Sequence, residues 1–230
     1  MSPRGRLVLL LGIVVGVAVV ALVLAGSGSR VPVVPTASSA QATQGSVVPG
    51  SSIGNVADLW PAPADPLDRT VAAGLEPGVR EFLINHVHAH LDVFVDGRPV
   101  TVPAGIGINI ADPGVRRFDE PGGTAYGGIE SCARPCISPL HTHDTTGILH
   151  TESSTPEPNT LGEFFTEWGV ALSQTCVGTY CRPQPIAVYI DGRPYTGDPT
   201  AIQLTDRLEI AIVIGTPPAE VPSTADFSAA

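Results

Sequence analysis

The chain has 230 residues, a formal net charge of −10, and only 15% charged against 43% hydrophobic residues. An acidic chain offers no basic surface for a phosphate backbone, so a nucleic-acid partner is excluded. All twelve basic residues are Arg, which removes Schiff-base chemistry, a lysine base and a P-loop lysine together, and Met1 is the sole methionine, so no thioether metal site exists.

In chain order, Arg4 and Arg6 precede an uncharged apolar run of nineteen residues, Leu7 to Ala25. At helical rise that run approaches the hydrocarbon thickness of a bilayer, and the two arginines hold its leading end in the cytoplasm. The pattern predicts a signal-anchor or transmembrane helix over 1–25, with a cleaved signal peptide as the rival; both export the remainder. Residues 26–66 are rich in Ser, Pro, Ala, Thr and Val without a stable period, which predicts a flexible linker. The globular unit is expected over 67–215, long enough for one core, and 216–230 reads as a disordered tail. The only partner this pattern names is the membrane, through the N-terminal helix, with the globular part extracytoplasmic.

Within the unit, His86 to Val95 alternates, with Val87, Ala89, Leu91, Val93 and Val95 on one face. Asp96-Gly97 then signals a tight hairpin into Val100–Val102, and Ile186–Ile190 repeats the device before Asp191-Gly192. Leu140–Glu152 reads as a hairpin turning around Asp144–Gly147. Thr160 and Glu163 form a capping box, after which Leu161, Phe164, Phe165 and Trp168 recur at helical spacing as a core-packing stripe. Leu208–Ile214 is a buried last strand. The order predicts a mostly β, α+β fold: a β-grasp-like mixed sheet of hairpins with one main packed helix. FVDGRPV and YIDGRPY form an apparent internal repeat, though Asp-Gly hairpins are common.

All six histidines lie between positions 86 and 150. His86, His88 and His90 share the strand face opposite the Val/Leu stripe, together with Asp92. His141 and His143 repeat the two-residue spacing, and His150 and Glu152 follow on the return strand; a turn at Thr145-Thr146 would pair His141 with His150. Imidazoles at this spacing suit a divalent metal, zinc or copper(II), closed by a neighbouring strand. The bland alternative is a row of half-exposed surface histidines. Residues i and i+4 on a strand are about 13 Å apart, too far for one ion. The expected site therefore joins an adjacent pair, His88 with His90, to His141 or His143 and to His150.

HVHAHLDVFVDGRPVTVPAGIGI, PLHTHDTTGILHTES, the TLGEFFTEWG helix and YIDGRPYTGDP resemble an uncharacterised family of exported, membrane-anchored bacterial proteins. That family has an HxHxHL strand, an LHTHDxxGxIHxES hairpin and a following aromatic helix. The similarity spans about Asn85 to Pro217. It implies a shared site and carries no settled activity.

Cys132 and Cys136, and Cys176 and Cys181, are expected to form disulfides outside the cytoplasm, either as two local bridges or as two bridges between the pairs. A thiolate site involving Cys136 is the weaker alternative. Three functions fit these residues. The first is a membrane-tethered metal-binding protein. The second is a metalloenzyme with an open position, for which Asp144, Glu152 or Glu130 could act as base. The third is a surface module with a pH-sensitive histidine patch. No HExxH or GxSxG occurs.

Overall fold

The computed structural model describes residues 56–120 and 122–228. The expected transmembrane segment and most of the expected linker lie outside them. Among the described residues no helix is long and apolar enough to cross a membrane.

Strand β1, Asn85–Val95, is the spine of a mixed sheet, because its alternating sequence gives it one apolar face that is buried from Ala89 onward: Ala89, Leu91, Val93 and Val95 are buried and Val87 is half-buried. At the hairpin that follows, Asp96 and Gly97 both take positive φ, 48° and 74°, the combination a two-residue turn needs to match strand twist. Strand β2, Arg98–Val100, returns along the last part of β1. Arg116–Glu120 (β3) and Gly123–Gly127 (β4) form a separate ribbon. Leu140–His141 (β5) and Ile148–Ser153 (β6) make the second hairpin, and β6 runs antiparallel to the first half of β1.

Helix α1, Pro66–Ala72, and the principal helix α2, Leu161–Trp168, lie in contact. Both arms of the α2 capping box are present. Thr160 Oγ1 accepts from the Glu163 amide at 3.3 Å, and the Thr160 amide donates to Glu163 Oε2 at 2.6 Å. Gly169, at φ 76°, stops the helix in the left-handed conformation that favours glycine. Leu161, Phe164, Phe165 and Trp168 are buried against the apolar face of the sheet. Burial of side chains this size stabilises the fold by about 2 kcal/mol each.

After a small ribbon, Cys176–Val177 (β7) with Tyr180–Cys181 (β8), come β9, Ile186–Ile190, and β10, Arg193–Tyr195. Asp191 and Gly192 repeat the positive-φ pair of the first hairpin, at 49° and 72°. The last strand, β11 (Glu209–Ile214), is buried throughout and lies parallel to β1. The sheet order is β10-β9-β11-β1-β6-β5, with β2 pairing to β1. The class is α+β, mostly β, with two α-helices among the described residues.

Packing reaches beyond the boundaries read from sequence. Val56 belongs to the core, and Trp60, expected in the linker, meets Trp168 edge-on at 5.7 Å while its carbonyl accepts from Trp168 Nε1. In the expected tail, the Thr216 amide donates to Asp96 Oδ1, and the Phe227 ring lies under the Arg207 guanidinium. The cysteines form two local bridges, Cys132–Cys136 and Cys176–Cys181, with no free thiol among the described residues. The first sits in a small satellite core with Ile108, Ile129 and Ile137. The crossed pairing is therefore not adopted, and Cys136 has no free thiolate to offer a metal.

Candidate metal centre

Register brings the histidines together. Across β1, β6 and β5, His88 stands opposite His150, and His150 opposite His141; His86 stands opposite Glu152. The pairing expected from a Thr145-Thr146 turn is the one adopted. Asp144 shapes that turn, its Oδ1 accepting from the Thr146 amide at 2.8 Å and from the Thr146 hydroxyl.

His141 has no exposed surface, because the 105–107 loop lies along the hairpin over it. The Gly105 amide donates to the Thr142 carbonyl, the Thr142 amide to the Ile106 carbonyl, and the Ser138 amide to the Gly107 carbonyl. The close approach needs Gly107: its φ is +72°, and a Cβ there would stand 2.5 Å from the Leu140 carbonyl oxygen and 3.2 Å from His141 Cβ. His143 is clamped to β4 in both directions. Its carbonyl accepts from the Tyr126 amide at 2.9 Å, and its Nδ1–H donates to the Tyr126 carbonyl at 2.6 Å.

These backbone carbonyls decide the tautomers. The Ser138 carbonyl, 3.0 Å from His141 Nδ1, can only accept, so that nitrogen carries the proton; the Tyr126 carbonyl does the same for His143. Burial first, then each other's charge and that of His150, hold His141 well below the ordinary imidazole range; burial and His150 lower His143. Both rings are then neutral with their single proton on Nδ1, and their Nε2 lone pairs face one another at 3.3 Å. Two nitrogens bound at about 2.0–2.1 Å to a tetrahedral ion stand about 3.3–3.4 Å apart.

His150 and Glu152 complete this group; one donor atom from each of His141, His143, His150 and Glu152 lies within 4.8 Å of all the others. His150 Nδ1 and Glu152 Oε2 are buried without a hydrogen-bond partner, an arrangement that costs stability unless something else satisfies them. Glu152 is almost enclosed, yet its carboxyl is lowered: burial opposes ionisation, and the surrounding His150, His143 and His86 outweigh it.

His86 and His88 form a second group with the same Glu152. Their Nε2 atoms are 3.1 Å apart, and His86 Nε2 is 3.4 Å from Glu152 Oε1. Burial, with His150 and His86 as neighbours, pushes His88 down to about 4. His90 is placed elsewhere. Its Nδ1 meets Glu209 Oε2 at 2.8 Å with Asp92 behind, and its Nε2–H donates to the Thr146 carbonyl. Burial alone would lower His90, but Glu209 and Asp92 outweigh it and raise it, while burial raises Glu209. So His88 joins His86, and the expected adjacent pair of His88 with His90 does not form.

Of the expected bases, Glu152 lies in the cluster and Asp144 orders its own turn. Glu130 is exposed, 3.9 Å from Arg116. Sequence reasoning missed Glu81, raised to about 7 by burial and then by the charge of Glu152. It also missed the Ser138 and Tyr126 carbonyls, since backbone acceptors leave no signature in residue type. A cleft of about 560 Å³ adjoins Glu152, walled by Phe82, Ile137, Pro139 and Asn159 among others. Comparison with protein-family models, with curated proteins and with solved structures gave no match.

Proposed function

We propose that this protein is a membrane-tethered, extracytoplasmic metal-binding protein that holds zinc or copper(II) through His141, His143, His150 and Glu152. The observation that carries the reading is the pair of facing Nε2 lone pairs. Two acceptors brought together in a buried site repel unless a cation lies between them, and here each ring's proton is committed to a carbonyl on its far side. Imidazole with one carboxylate suits zinc or copper(II), and a chain without internal Met has no cuprous thioether option. Export and tethering rest on the Arg4/Arg6-led apolar run, and the two disulfides fit an oxidising compartment. The parallel pairing of the first and last sheet strands supports the β-grasp-like reading. On the motif resemblance, the site is one shared with the exported bacterial family.

The test is elemental analysis of protein purified without a polyhistidine tag, loaded with zinc or copper(II) and desalted. At least one tightly held equivalent is expected. His143→Ala should remove the ion held by this group while far-UV circular dichroism stays unchanged. Metal-free wild type, or full retention in both His143→Ala and His150→Ala, would refute the reading and leave a histidine surface patch.

A second reading, a metalloenzyme, is favoured by one feature. Glu152 forms part of the wall of the cleft, and Glu81, on the segment between the cleft residues Arg80 and Phe82, is raised to about 7, the range suited to a general base. Hydrolysis of a generic ester panel by the zinc-loaded protein, lost in Glu81→Gln with metal content unchanged, would support it.

A further inference from the structure

We infer that the centre is dinuclear: a buried inner ion on His141, His143 and His150, an outer ion on His86 and His88, and the Glu152 carboxylate bridging the two. The inference rests on the proposed metal-binding reading and adds to it the number of ions, their bridge and the accessible ligand position.

Among the described residues the donors fall into three sets, two of which overlap; the third, His90 with Asp92 and Glu209, shares no member with them. His141, His143, His150 and Glu152 are mutually within 4.8 Å, as are His86, His88 and Glu152, and only Glu152 belongs to both. Donors to one ion with bonds of about 2.0–2.1 Å cannot be more than about 4.2 Å apart. Three strands at about 4.8 Å spacing carry His86, His88, His150, Glu152 and His141, with His143 just past the end of β5, so the two ends of the row lie beyond the reach of one ion. Two ions bridged by a carboxylate sit about 3.5–4 Å apart, less than one inter-strand step.

Glu152 is placed for that role. Oε1 lies between the two sets, 3.4 Å from His86 Nε2 and 3.7 Å from His150 Nδ1, and Oε2 is buried with no partner. At the seam, the His88 and His150 rings meet at 4.6 Å between centroids. Oε1 is thus within reach of both histidine sets, and the buried, unpartnered Oε2 leaves the carboxylate a second oxygen to offer an ion.

The halves differ in exposure, and the difference assigns their roles. The inner ion has four protein donors, all of them buried or largely so, which fills a tetrahedral shell. The outer ion has three, and the His86 side chain is 42% exposed, so its fourth position opens to solvent. Three protein ligands with an open position bind water or a small anion. The outer ion is therefore the exchangeable and reactive one.

The experiment uses the full chain without a tag, loaded with copper(II) alone, desalted, and measured for copper per chain and by electron paramagnetic resonance. Wild type should hold two ions with a suppressed single-ion signal and a half-field transition from the coupled pair. His86→Ala, at an exposed position, should hold one ion and show the full signal of an isolated copper(II). His143→Ala should lose the inner ion. Azide should shift the spectrum of wild type and leave that of His86→Ala unchanged. One ion in wild type, unchanged by His86→Ala, would overturn the dinuclear inference and leave the proposed function standing; no ion at all would overturn both. Two ions without magnetic coupling, or coupling that survives in Glu152→Gln, would overturn the bridge.

Discussion

Replacing Glu167 with Gln should stabilise the protein at neutral pH and change the shape of its pH dependence. Glu167 lies near the end of α2 with no exposed surface, and neither carboxyl oxygen has a hydrogen-bond partner of acceptable geometry. The nearby hydroxyls of Ser138 and Thr70 pull back only part of the effect of burial, and that of Thr70 is donated to the Pro66 carbonyl. Burial pushes the acid from its ordinary 4.5 up to about 8. The folded state therefore binds more protons than the unfolded state between those values, and stability falls as pH rises through that window. At pH 7 the cost is about 3 kcal/mol, and it levels off near 5 kcal/mol above pH 8, both to order of magnitude at about 1.4 kcal/mol per pH unit. Gln has nearly the same shape and no proton to lose. Below pH 4.5 the two proteins should have similar stability; by pH 7 the variant should lead by about 3 kcal/mol, or roughly 10 °C in Tm for a chain this size. Urea unfolding followed by tryptophan fluorescence from pH 4 to 8.5, with chelator present and disulfides intact, measures the difference directly. Histidine titrations are common to both proteins and cancel. Parallel curves across the range, or a variant less stable at pH 7, would refute the buried protonated acid.

Two further outcomes test the compartment. Intact-mass measurement after alkylation without reductant should show no label, because all four cysteines are bridged, while four labels would return Cys136 to consideration as a ligand. Protease added to intact spheroplasts should digest the globular part, and complete protection would contradict export.

Much of the sheet was legible in the chain because its signals are local. The alternation of β1, the two Asp-Gly turns and the Thr160/Glu163 box each act within a few residues, and each appears where its pattern places it. The His141–His150 pairing was also within reach, since a short hairpin's register follows from its turn. Local rules had less to say about the margins. Residues near Trp60 and Phe227 look like linker and tail by composition, yet single aromatic side chains among them find partners far away in sequence, at Trp168 and Arg207.

By itself the sequence determined that a row of imidazoles lies on one strand face and a facing hairpin, because residue type and the period of two are written in it. Which imidazoles work together was decided only by tertiary structure. His88 meets His86, while Glu209, 119 residues from His90 and on the parallel last strand, takes His90. His141 and His143 present their Nε2 atoms to each other because the Ser138 and Tyr126 carbonyls hold their Nδ1 protons. Burial of Glu167 in a helix that reads as ordinarily amphipathic has the same origin. Tautomer, burial and pKa are set by what surrounds a group in space, and those neighbours come from distant strands and from backbone atoms that every residue shares.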